Sequence, residues 1–132
     1  MTNAVNALAL ALQQAVKADA ALVARLGADG MIDRTVRPQR FPALVLGTVE
    51  TRDFSTGEAE GVEILLVLEA WSARSRREAE ELLAELRRMA GGLGPALGGY
   101  RLVNWTHRRT VSRREVKVGL FVAEASFRAV VE

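Results

Sequence analysis

The chain has no cysteine, one histidine, three prolines and few aromatics, which make up 5% of its 132 residues. Without cysteine, neither a disulfide framework nor a thiolate metal site can be built. With His107 alone, no histidine-based metal cluster fits within one chain. The scarcity of aromatics leaves no evident base-stacking platform of the kind that grips single-stranded nucleic acid. No apolar run approaches the roughly 20 residues needed to cross a bilayer. The N-terminal MTNAVNALALALQQAVKADAALVARL lacks a basic start, and Gln13, Gln14, Lys17 and Asp19 interrupt it. It reads as an amphipathic helix and not as a secretory signal. A soluble protein, made and kept in the cytoplasm, is the expectation.

Catalytic patterns are missing as well. Ser112 and Ser126 have no His–Asp partners nearby in sequence. The glycine-rich GGLGPALGG (91–99) contains no G-x-x-x-x-G-K-[ST] and follows a helix, whereas phosphate-cradling loops precede one. It reads as a connector. The acids at 78, 80, 81 and 85 sit on the outer face of a helix whose other face is apolar, which suits solvation or docking better than acid–base work. The expectation is a protein that is not an enzyme and takes no metal or cofactor.

What is present describes one globular domain spanning 1–132, with 49% hydrophobic and 26% charged residues. Net charge is only +2, but it is unevenly spread. Residues 58–86 hold eight glutamates against three arginines; residues 101–117 hold five arginines and Lys117 against Glu115. Complementary patches suit head-to-tail contact between identical subunits; charges that merely solvate exposed faces give the same pattern.

Periodicity predicts the elements. Val5, Leu8, Leu12 and Val16 give a helix over 3–17, and Asp19 caps a short second one that Gly27 ends. Pro38 and Pro42 make the segment before ALVLGTV extended or irregular. ALVLGTV is a strand, TRDFSTGEAEG a loop, and VEILLVLEAWS the best strand in the chain. Its Val62, Ile64, Leu66, Leu68 and Ala70 share one face. Ser75 and Glu78 form a capping box for a helix over 75–90 that buries Leu82, Leu83 and Leu86. Two further strands flank an arginine-rich connector, RRTVSRREVK (108–117). The apolar phase of the last strand shifts from Val118, Leu120 and Val122 to Phe121, Ala123, Ala125 and Phe127. Either a bulge lies near 119–123, with Gly119 as its site, or both faces are buried. The expected fold is α+β, a mainly antiparallel four-stranded sheet with helices packed on one face. Arg108 and Arg109, as strand neighbours, should point to opposite faces.

The order DAALVARLG, IDRTV, RFPALVLG, RDFSTGEAEGVEILLVLEAWS, a capped helix and a closing FRAVVE resembles the tail-completion, or tail terminator, proteins of long-tailed phages and gene transfer agents. Asp19 with Leu22, Leu26–Gly27, Phe41–Pro42, Leu46–Gly47, Asp53, Trp71–Ser72 and Phe127–Arg128–Ala129 carry the resemblance. Where such proteins often have an Asp-Gly turn, this chain has TVSRRE (110–115). The resemblance implies a six-membered ring, most simply a hexamer of this chain. Such a ring docks on the last ring of the tail tube, stops its growth and presents a surface to the head connector. It offers no catalytic set. Candidate contact residues are Arg52, Asp53 and Phe54 in the loop, Glu78, Glu81 and Glu85 on the helix, and Arg108, Arg109, Arg113 and Arg114. Expected partners are further copies of the chain, the tail tube protein, the head connector protein and, without sequence preference, DNA passing the lumen. The alternatives are a nucleic-acid-binding module using residues 108–117, or another head–tail connector component.

Overall fold

Side-chain caps set the N-terminal helices. Asn3 starts α1 (Ala4–Ala18), its side-chain oxygen accepting the Asn6 N–H at 2.8 Å. Asp19 ends α1 and starts α2 (Ala20–Leu26) by accepting the Leu22 N–H at 3.1 Å, and the two axes bend by 88° there. Gly27, at φ 75°, closes α2 in a backbone conformation that side chains disfavour. The computed structural model describes residues 3–33 and 38–132; the Arg-Thr-Val of IDRTV (34–36) lies outside the described residues.

The sheet has six strands and not four. They are β1 (Met31–Asp33), β2 (Ala43–Asp53), β3 (Val62–Ser72), β4 (Ala96–Leu97), β5 (Tyr100–Glu115) and β6 (Leu120–Val131), in the order β1-β2-β3-β6-β5-β4. The sheet is mixed, because β1 runs parallel to β2 while every other pair is antiparallel, and it curls into a half-barrel. β1 and β4 span three and two residues, too few to show an alternation in sequence. β1 is held from outside by Gln13, whose amide donates to the Met31 carbonyl at 2.9 Å and accepts the Met31 N–H at 2.8 Å.

β3 lies between β2 and β6, internal as its apolar pattern required. Ile64, Leu66, Leu68 and Ala70 face the helices with Ala123, Ala125, Phe127, Ala129 and Val131 of β6. On the opposite face Ala43, Val45, Trp71, Leu120 and Val122 form a second cluster under Phe41. This is the source of the phase shift in the last strand: both faces of β6 are buried. The other alternative, a bulge near 119–123, is not there, since β5–β6 pairing runs unbroken from Arg109–Ser126 to Glu115–Leu120. The irregularities lie in β5, at Leu102/Asn104 and His107/Arg109, with another in β2 between Leu46 and Val49. Most of the arginine-rich connector is therefore strand, and the turn is at 116–119, ending on Gly119 at φ 67°. Likewise β2 runs on to Asp53, so only 54–61 is loop.

The third helix, α3 (Arg76–Gly91), packs on β3 and β6. Leu82, Leu83 and Leu86 are buried at 0–1% exposure, each worth roughly 1.5–3 kcal/mol in burial. Ser75 caps α3 by accepting the Glu78 N–H at 3.0 Å, but the reciprocal half of the capping box is altered. Glu78 instead accepts the Ser72 hydroxyl at 2.7 Å, and Ser72 Oγ receives the N–H groups of Arg74 and Ser75 at 3.0 and 3.1 Å. A buried serine at the strand end thus ties β3 to the start of α3.

Candidate subunit interface

The sheet face away from the helices carries charge. Glu63 of β3 is 5% exposed and sits between two arginines, Arg52 at 2.6 Å and Arg128 at 2.7 Å. The Arg128 hydrogen bond, reinforced by Arg52 and opposed by burial, holds the Glu63 carboxyl below the usual carboxylate range. Arg128 also donates to Asn104 of β5 at 3.3 Å and lies 5.4 Å from the Phe54 ring centre. One carboxylate therefore links β2, β3 and β6 and, through Arg128, positions the start of the 54–61 loop. Strand order makes this cluster, and for that reason Glu63 and Arg128 were not among the residues picked as contacts from sequence.

The loop itself is tied at its base. The Phe54 N–H donates to the Gly61 carbonyl at 2.9 Å, and the Ser55 N–H to Asp53 Oδ1 at 2.9 Å. Hydrogen bonds from the Ser55 side chain and N–H lower the Asp53 pKa. Phe54 nevertheless remains 45% exposed, as a large apolar side chain on the loop's rim.

The candidate carboxylates of α3 already have partners in the same chain. Glu78 bonds Ser72 and lies 3.6 Å from Arg74, Glu81 lies 3.7 Å from Arg25, and Glu85 pairs with Arg88 at 2.8 Å. Glu80 accepts the Ser112 hydroxyl of β5. Arg88 Nη2 also donates to both Asp19 oxygens, at 2.8 and 2.9 Å, and this charge-assisted contact depresses the Asp19 pKa. Of these acids, Glu81 is the most open, at 52%.

The arginines of β5 divide into two kinds. Arg113 is held within the chain by Glu115 and Glu124. Arg114 lies 5.9 Å over the Phe121 ring and has no ion pair among the described residues. Arg108 and Arg109 have none either. Both line one hollow of about 410 Å³ with Thr48, Glu50, Leu65 and Ser126. The irregularity at His107/Arg109 inserts Arg108 as an extra residue, so the plain alternation expected of strand neighbours is broken there.

On the helix side of β5, Trp105 stacks on Phe127 at 4.8 Å, and its indole N–H donates to the Ala90 carbonyl at 2.8 Å. His107 meets the edge of Phe127 at 5.4 Å. Burial, aided by the positive charge of Arg87, lowers the His107 pKa, so the imidazole is neutral at neutral pH. Among the described residues, no three His, Asp or Glu side chains are grouped so as to hold a metal ion.

Residues 10–132 match the family described as Tail completion protein gp17. The chain belongs to that family. A solved chain from the virion of a native gene transfer agent particle shares its fold, with a TM-score of 0.85 and 26% identity. That match covers 100% of this chain and 99% of the other. No curated protein shows significant sequence similarity. The matched span includes every candidate contact residue, those of the sheet and those of α3 alike.

Proposed function

We propose that this tail completion protein is a non-enzymatic structural component of a phage or gene transfer agent tail. It forms a ring, most simply a hexamer, on the last ring of the tail tube, ends the tube's growth and offers the surface on which the head connector is joined. Assembly takes place in the cytoplasm, and the protein then stays in the particle. Family membership over residues 10–132 carries this reading. The full-length likeness to a chain of a gene transfer agent virion supports it.

Within the ring, Arg108, Arg109 and Arg114 are the natural contacts to a neighbouring copy, because no carboxylate of their own chain engages them. Glu50, Asp53, Glu58, Glu60 and Glu81 are among the exposed acids available to receive them. Arg52, Phe54, Glu78, Glu85 and Arg113 act mainly by holding the surface in shape, with Phe54 also offering an apolar contact. An exposed pair contributes only about 0.2–1 kcal/mol, but a ring repeats it at every junction. The test is the double reversal Arg108→Glu with Arg109→Glu, imaged by negative stain with tail tubes. Loss of capped tube ends is expected. Normal capping with loss of DNA retention alone would instead make these arginines lumen contacts with phosphate.

A further inference from the structure

The two edges of the sheet are largely uncovered. β1 pairs only with Leu44–Leu46 of β2, and β4 only with Tyr100–Arg101 of β5. Among the described residues, Gly47–Asp53 and Val103–Glu115 therefore have a strand neighbour on one side alone. From Thr48 to Asp53 every residue is exposed, Val49 least of them at 36%. A strand with one neighbour and little cover on its faces is weakly held in water. Open edges are usually blunted; β1 is closed at Met31 by Gln13, while no strand among the described residues closes these two spans.

Their geometry is mutually compatible. β2 opposes β3, β3 opposes β6 and β6 opposes β5, so β2 and β5 run in opposite directions. In a head-to-tail ring every subunit keeps its orientation about the axis. β2 of one copy would then meet β5 of the next antiparallel, the slightly more stable pairing. Height also agrees: Asp53 is level with Val62, Val131 and Leu102, and Val49 with Leu66, Phe127 and His107. Charge agrees as well. Residues 50–60 hold Glu50, Asp53, Glu58 and Glu60 against Arg52, whereas 103–117 hold Arg108, Arg109, Arg113, Arg114 and Lys117 against Glu115. Exposed Val49 on one edge, with Val103 and Val111 on the other, adds apolar surface at the junction.

We infer that the open edge of β2 in one copy adds antiparallel to the open edge of β5 in the next, so that the sheet continues from subunit to subunit around the ring. This rests on the ring reading and names how its junction is made. Because the chain has no cysteine, engineered disulfides report the junction without background. Thr106→Cys or Val111→Cys, both exposed on β5, is combined in turn with a single cysteine at each of positions 48–53. Each variant is assembled on tail tubes, oxidised mildly and run on a denaturing gel. A disulfide needs Cβ atoms about 3.5–4.5 Å apart, and alternate strand residues face opposite ways. The expected result is a covalent ladder for positions of one parity, its top rung equal to the number of subunits in the ring, and little cross-linking between them. Capped tubes in the images with no ladder at any position would overturn the edge pairing and leave the ring reading standing. Equal cross-linking at all positions would overturn it too, since proximity without strand pairing has no period of two. Absence of rings with the unmodified protein would overturn both readings.

Discussion

Leu83 and Glu63 show the two ways in which single residues hold this molecule. Leu83 is 1% exposed beneath α3, so Leu83→Ala removes packed methyl groups and leaves a cavity that its neighbours fill only in part. A loss of about 2–5 kcal/mol is expected, read as a lower urea midpoint at unchanged slope. Glu63 acts through charge. Its folded pKa lies below the unfolded value, as does that of Asp19, so both contribute stability that is complete above the unfolded value. That contribution drains away as pH falls through the depressed folded value. Urea midpoints should therefore hold steady from neutral pH to about 5 and fall as pH drops below about 4. Glu63→Gln should flatten part of that acid-side slope; a slope identical to that of the unmodified protein would show that the Arg52–Glu63–Arg128 cluster does not discriminate between folded and unfolded states.

Among the elements, those with a long repeat were legible in the sequence. α3 announces itself through Ser75, its leucine stripe and Gly91–Gly92, and β3 through ten alternating positions without a turn residue. β1 and β4 were illegible because two or three residues hold no period. The reach of β5 was not legible at its arginines: TVSRRE, part of the expected connector, has no glycine or proline and continues as strand to Glu115. The candidate site was legible only in part. Which residues were charged was plain, but which acid met which base depended on strand order, and that order placed Glu63 between Arg52 and Arg128 and gave the α3 glutamates partners of their own. The 54–61 loop is the element on which contact with a neighbour or the tube can be tested directly. Its base is tied by Phe54, Ser55 and Gly61, so removing residues 56–59 shortens the tip and keeps those ties. That deletion is expected to leave thermal stability nearly unchanged while abolishing capping; particles with tails of normal length would show that the loop makes no essential contact.

As a whole the molecule is a half-barrel with helices on one side, a charged face on the other and two open edges, one acidic and one basic. Such a body is asymmetric, and asymmetric edges favour a heterologous contact that closes into a ring over a two-fold dimer. Family membership makes the chain a structural tail protein; the edges and unpaired arginines are what make termination by a ring the specific proposal. Tail length tests it most directly. Particles should be assembled with and without this protein and their tails measured by electron microscopy. The account predicts a single narrow length distribution with one ring at the head-proximal end when the protein is present, and overlong, headless tubes when it is absent. Tails of the same length in both preparations would contradict it.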